Sequence, residues 1–171
     1  MSIQGRKSQA VASALFILLI LSIDQGLKYL VRQNLSVGES IPIISNALHI
    51  TFVSNTGAAF GLFKNATHVF AVISIVAVVF IATLLIKTIQ RAEFFRKPML
   101  NFSLILILSG AIGNLLDRLL FSYVIDFIDV RVWPVFNVAD SSITIGTVLL
   151  ILSFIRQKPC QIDKTRSVWY N

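Results

Sequence analysis

The sequence is poor in charge. Only 13% of its 171 residues are Asp, Glu, Lys or Arg, against about a quarter in a soluble domain. Together with a 56% hydrophobic content, that deficit excludes a soluble globular chain and leaves a membrane protein. There is one cysteine, Cys160, so no intrachain disulfide can form. It falls in the basic C-terminal tail and reads as a cytoplasmic thiol. Histidine is scarce, and neither His49 nor His68 makes a metal-ligand spacing with any acid. No metal site and no cofactor is therefore expected. There is no Gly-x-Ser-x-Gly nucleophile elbow, and Cys160 lies away from the other polar motifs. No repeat or low-complexity linker divides the chain, which reads as one domain over residues 1–171.

Long apolar runs are what the chain does have. Four stand out: Ala10–Ile23, continuing past Asp24 to about Val31; Ala66–Ile86; Met99–Leu116; and Ser141–Ile155. A helix needs about 20 residues to cross a hydrocarbon core of roughly 30 Å. The spacing predicts membrane helices over about 10–31, 66–88, 98–119 and 137–156. The first run follows Arg6-Lys7, as in a signal peptide, but no small-x-small cleavage site follows it. It is expected to be retained as a helix.

Charge is distributed asymmetrically. Of the fifteen basic residues, Arg6, Lys7, Lys87, Arg91, Arg96, Lys97, Arg156, Lys158, Lys164 and Arg166 fall on one side of a four-helix layout. The acids Asp24, Glu39, Asp117, Asp126, Asp129 and Asp140 fall at or near the other. The positive-inside rule puts both termini, the tail 157–171 and the connection between the second and third helices in the cytoplasm. Segments 32–65 and 120–136 are then extracytoplasmic. The net charge of +7 is a topology signal, and nucleic-acid binding is not expected.

Both outer segments carry strand patterns. Ala47–Asn55 alternates, with Leu48, Ile50 and Phe52 on one side. Ile41-Pro-Ile43 suits an edge strand because of its proline. Tyr123–Trp133 reads as a strand with Val124, Asp126, Ile128, Val130 and Val132 on one face. Ile125, Phe127, Asp129, Arg131 and Trp133 take the other. A small sheet on the outer membrane surface is expected.

Asp126 and Asp140 are the informative pair. Each lies where an apolar run meets water, and a carboxylate near lipid is costly, by roughly 2.5–3.5 kcal/mol at mid-bilayer. Asp126 shares its strand face only with aliphatic residues, an isolation that raises a carboxyl pKa by desolvation. Asp129 lies beside Arg131 and reads as a solvated neighbour pair.

The other polar clusters admit two readings each. Asn114, Asp117 and Arg118 share a helix face above Gly110 and Gly113. They form either an Asp–Arg structural pair with packing glycines or part of a site. Asn137 can cap the last helix with Asp140 at N3, a role compatible with catalysis. Asn137, Asp140, Ser141 and Thr144 form one stripe, expected to face inward. Asp24 and Lys28, at i and i+4, suit a structural ion pair. Asn55-Thr-Gly57 is either a turn or part of the site.

Two interacting carboxylates cannot both ionise easily, so they can share a proton. The charged member can then activate water while the protonated member polarises an amide carbonyl. An acid pair of this kind points to a hydrolase. A proton-coupled transporter would instead place acids at mid-bilayer depth on several helices. A non-enzymatic assembly factor would tolerate Asp→Asn at either position.

Five blocks in order carry a resemblance. Asp24-Gln-Gly-Leu-Lys28, Asn55-Thr-Gly-Ala-Ala-Phe-Gly61, Gly113-Asn-Leu-Leu-Asp-Arg118, Val124-Ile-Asp-Phe127 and Phe136-Asn-Val-Ala-Asp140 resemble the motifs of bacterial lipoprotein signal peptidase (signal peptidase II), from about residue 15 to 155. The resemblance implies a membrane α-helical fold, four transmembrane helices with a small extracytoplasmic β-sheet platform, in the bacterial cytoplasmic (inner) membrane. It implies an aspartyl endopeptidase that cleaves diacylglyceryl-modified prolipoproteins before the lipidated cysteine, with membrane lipid as surroundings and globomycin as an expected inhibitor. Asp126 and Asp140 become its catalytic residues by that match. Asn55, Gly57, Asn114, Arg118, Asn137, Asp24 and Lys28 become substrate-binding or dyad-supporting residues.

Overall fold

A computed structural model describes residues 3–57, 67–91 and 97–156. In chain order the elements are α1 (Ile3–Asn34), β1 (Ser40–Ile44), β2 (Leu48–Asn55), α2 (Thr67–Gln90), α3 (Pro98–Phe121), β3 (Val124–Asp129) and α4 (Val138–Ile155). All four helices are long and apolar enough to cross a membrane. The tail 157–171 lies outside the described residues, as do residues 58–66 and 92–96.

The bundle is polar inside and apolar outside. Leu15, Leu18, Val72, Val76, Val79, Val148 and Ile151 are exposed, while Asp24, Lys28, Asn101, Ser103, Asn114, Asp117 and Asn137 are buried. That inversion suits lipid, where association draws on close packing and interior hydrogen bonds. The central helix is α3, against which α1, α2 and α4 all pack. It starts with Pro98 in its first turn, where the missing N–H is no loss. A cluster of Leu85, Leu104, Ile105 and Leu108 fills the bundle toward the start of α3. The crossing of α3 and α4 is set by small residues. A Cβ on Gly110 would collide with the carbonyl oxygen of Ala139, so only glycine lets α4 approach here.

α1 is longer than its apolar run at both ends, because helical hydrogen bonding continues through the polar residues flanking the lipid-facing part. α4 has 18 residues, about 27 Å at 1.5 Å per residue.

The sheet is antiparallel, in the order β1-β2-β3. β1 is the edge strand and holds Pro42, where a missing donor costs least. Asn46, with φ of 62°, turns the β1–β2 hairpin. The sheet rests on the end of α1 through Val31, Leu35, Phe52, Ile125 and Phe127, all buried.

One strand is shorter than the residue pattern suggested. β3 ends at Asp129, so Val130, Arg131, Val132 and Trp133 do not continue its alternation. Arg131 takes a left-handed conformation, φ 65°, and its N–H donates to Asp129 Oδ1 at 2.9 Å. The chain reverses there and returns alongside β3. Phe136 N–H donates to Ile128 O at 3.1 Å, and Phe136 O accepts from Ile128 N–H at 2.7 Å. This reversal delivers the start of α4 to the flank of Asp126.

Candidate active site

Asp126 sits in β3, opposite Val53 of β2. It is 2% exposed. Asn55 pairs with Val124, two residues earlier, so its side chain shares the face of Asp126 at a diagonal position. Its Oδ1 accepts the Gly57 N–H at 3.1 Å, which turns its Nδ2 toward Asp126 Oδ2, at 2.9 Å. Gly57 thus orients Asn55 through its backbone.

Asp140 sits in the first turn of α4. Asn137 Oδ1 accepts the Asp140 N–H at 2.8 Å, and Asp140 Oδ2 accepts the Asn137 N–H at 3.3 Å, a complete capping box. The other oxygen, Oδ1, accepts Asn114 Nδ2 at 2.7 Å. The cap therefore also fixes the Asp140 carboxylate beside the positive end of a helix dipole.

Asn137 joins the two acids. Its Nδ2 donates to Asp126 Oδ1 at 2.7 Å, to Asn114 Oδ1 at 3.1 Å and to Ile125 O at 3.3 Å. An amide has two such hydrogens, so one of them is shared. Asn137 is fully buried. Asp126 and Asp140 also feel each other electrostatically. Burial first, and then the Asp140 charge, push the Asp126 carboxyl up to about 7. The Asn55 and Asn137 hydrogen bonds and the Lys28 charge oppose the rise. Asp129 behaves differently. Burial would raise its pKa, but the Arg131 N–H, the Thr51 hydroxyl and the Arg131 guanidinium, at 3.1 Å, hold it below the usual carboxylate range.

Beneath the pair lies a charged cluster. The Lys28 ammonium bonds Asp24 Oδ2 at 2.8 Å, Asp117 Oδ2 at 2.9 Å and Asn114 Oδ1 at 3.2 Å, using its three N–H donors. The i, i+4 pair of Asp24 and Lys28 is present, buried, and has a third member. Asp24 Oδ1 also accepts the Ala139 N–H at 2.8 Å, a second cap on α4 supplied by α1. Asp117 Oδ2 accepts the Ile125 N–H at 3.1 Å and so anchors β3 to α3. The Gln25 amide bridges Asp24 and Asp117 at 3.2 and 3.0 Å. Gly113 makes room for this: a Cβ there would lie 2.7 Å from Asp24 Oδ2.

Several expected positions separate. Asp117 does not pair with Arg118, since neighbours on a helix point about 100° apart. Arg118 turns toward α2, with its Nη1 3.4 Å from Ser74 Oγ and its guanidinium 5.9 Å from the Phe70 ring centre. Its charge still reaches both Asp140 and Asp126 through space. The inward stripe on α4 holds for Asn137 but fails at Thr144, which is exposed. Ser141 bonds Asn137 O within its own helix, and Ser142 and Gly146 take the buried side instead. Gln25 has no place among the expected site residues, and Asp117 is expected there only beside Arg118. Their one signal was that they lie within the motifs around Lys28 and Asn114. Among the described residues, no three His, Cys, Asp or Glu side chains gather so as to hold a metal ion.

A buried carboxylate, Asp126, and a half-buried one, Asp140, both held by residue Asn137 at the boundary of a four-helix membrane bundle, can act together as an acid–base pair. Residues 16–156 match the family described as signal peptidase (SPase) II. The chain belongs to the signal peptidase II family. It is 47% identical over 136 residues to a lipoprotein signal peptidase of Moorella thermoacetica, covering 80% of this chain and 87% of that protein. It is 44% identical over 142 residues to one of Halothermothrix orenii, covering 83% and 94%. A bacterial membrane enzyme structure obtained by the in meso method at 2.3 Å superposes with a TM-score of 0.79 at 30% identity, covering 90% of this chain and 93% of that one. The signal peptidase II match takes in the sheet, α2, α3, α4 and α1 from residue 16 onward, with Asp126 and Asp140 inside it.

Proposed function

We propose that this chain is an intramembrane aspartyl endopeptidase that removes signal peptides from diacylglyceryl-modified prolipoproteins, cutting before the lipidated cysteine. The observation that carries the reading is the linked pair, Asp126 and Asp140, at the membrane boundary. A lipid-anchored cysteine holds its preceding peptide bond at that depth. Tethering lowers the orientational cost of bringing the bond to the acids.

The pair shares one proton near neutral pH. Asp126, raised to about 7, carries it, and Asp140 at the helix terminus acts as the carboxylate. Asp140 takes a proton from water as the water oxygen bonds the carbonyl carbon. Asp126 gives its proton to the carbonyl oxygen, forming a diol. The Asp140 proton then passes to the nitrogen, the C–N bond breaks, and a diol hydroxyl returns a proton to Asp126. The starting state is restored without a covalent bond between enzyme and substrate.

Asn55, Asn114 and Asn137 position the acids, and Gly57 orients Asn55. Asp24 and Lys28 hold the support beneath. Arg118, whose charge reaches both acids and which has no carboxylate partner among the described residues, binds substrate carbonyls in this reading. The charge asymmetry supports cytoplasmic termini, an inner-membrane location and an extracytoplasmic site.

The test uses purified protein and a diacylated precursor, with the unlipidated precursor and globomycin as controls. Asp126→Asn and Asp140→Asn are each expected to abolish cleavage while thermal unfolding remains cooperative, and Asp129→Asn to retain most activity. Substantial cleavage by either of the first two variants removes that residue from the dyad. Equal cleavage of the unlipidated precursor overturns the substrate.

A further inference from the structure

α2 and α4 both pack on α3 but scarcely on each other. At the end of the bundle away from Asp126 and Asp140 they leave a cleft of about 370 Å³. That lies within the roughly 300–1,000 Å³ of small-ligand sites. Its walls include Leu84, Leu104, Leu150 and Phe154, and its mouth carries Lys87 and Arg91. A shallower groove of about 440 Å³ shares Phe80, Leu84 and Lys87 with it and runs along α2 to Ile75. From Ile75 to Lys87 is about 18 Å along a helix, close to half of a hydrocarbon core of roughly 30 Å. The two together make a one-leaflet slot, apolar along its length and cationic at the membrane surface.

Neither Lys87 nor Arg91 has a carboxylate partner among the described residues. Thr88 adds no competing charge, since its hydroxyl bonds Leu85 O and Asn101. We propose that this slot binds one anionic phospholipid, its phosphate held by Lys87 and Arg91 and an acyl chain lying against Leu84 and along α2. The charge selects the occupant. A leader peptide is basic at its amino end and is repelled by the same two side chains. A zwitterionic lipid brings its own cation to them. Basic pockets between membrane helices recognise anionic headgroups in this way. The lipid would brace α2 against α4 where protein contacts do not.

The test is native mass spectrometry of the full chain in detergent with equal amounts of phosphatidylglycerol and phosphatidylcholine. The expected result is one retained phosphatidylglycerol in clear preference to phosphatidylcholine. Two basic side chains near a membrane surface supply about a 30-fold preference, so Lys87→Gln with Arg91→Gln should abolish most of it. Arg6→Gln with Lys7→Gln, an equal charge loss at the same end of the bundle, should leave the preference within about 2-fold. Leu84→Trp fills the slot without changing charge and should reduce retention of the lipid. Equal retention of both lipids by the unaltered protein overturns the proposal. So does an effect of the Arg6 and Lys7 pair as large as that of Lys87 and Arg91, or full retention in Leu84→Trp.

Discussion

Replacing Asn55 by Ala should move the alkaline limb of the rate profile upward. Asn55 Nδ2 donates to Asp126 Oδ2 at 2.9 Å, and that bond favours the charged carboxylate. Its removal leaves burial and the Asp140 charge less opposed, so the Asp126 pKa rises further from about 7. A hydrogen bond to a charged group contributes about 1.5–3 kcal/mol, equivalent to about 1–2 pH units. Asp126 must hold its proton to polarise the carbonyl. Activity therefore falls as pH rises through that pKa, and in Asn55→Ala the fall comes about 1–2 units later. The assay is kcat/KM against pH on a diacylated precursor, since that ratio reports the free enzyme. Thr51→Val alters Asp129 instead and should leave the limb in place. An unmoved limb in Asn55→Ala, or one displaced to lower pH, would refute the assignment of the proton to Asp126.

Three further outcomes follow from the same contacts. Because the folded state raises the Asp126 pKa from 3.8 to about 7, its contribution to stability is full below pH 3.8 and is lost as pH rises through about 7. Asp126→Asn should remove that loss, stabilising the protein by up to about 4 kcal/mol at pH 8 and little at pH 4; thermal unfolding at the two pH values measures it, and an equal gain at both contradicts it. Lys28→Met strands Asp24 and Asp117, respectively 1% and 0% exposed, and should cost about 3–5 kcal/mol. Adding Asp117→Asn should recover part of that loss, and strictly additive losses in unfolding experiments would show that the three charges do not act together. Gly110→Ala forces α4 off α3 at Ala139 and should cost about 1–3 kcal/mol, with cleavage falling alongside the melting temperature; an unchanged melting temperature would mean the helices are not held at this crossing.

Contacts governed by local physics were legible in the chain. Asp126 and Val124 share a strand face, as alternation requires, and Asn55 meets them there. Asn137 and Asp140 form the cap that their three-residue spacing suggests. Contacts that come from elsewhere were not. Asp117 stands beside Arg118 in the chain, yet its cation is Lys28, from another helix. Thr144 keeps helical spacing with Asp140 but is exposed, because α4 packs through Ala139, Ser142 and Gly146 instead. The end of β3 was hidden because Arg131 adopts a positive φ without being glycine.

By composition and order alone, the chain determined that it would form four helices long and apolar enough to cross a membrane, that most of its cations would collect toward one end of them, and that its costly acids would gather toward the other. Lipid imposes those features residue by residue, so they are written locally. Only the folded arrangement decided that Asp126 and Asp140 would share Asn137, that Lys28 would close a cluster with Asp24 and Asp117, and that a cationic cleft would open at the far end. Each depends on distances between helices, and those are set by the close approach of α3 and α4 and by the reversal at Arg131, which no single segment encodes.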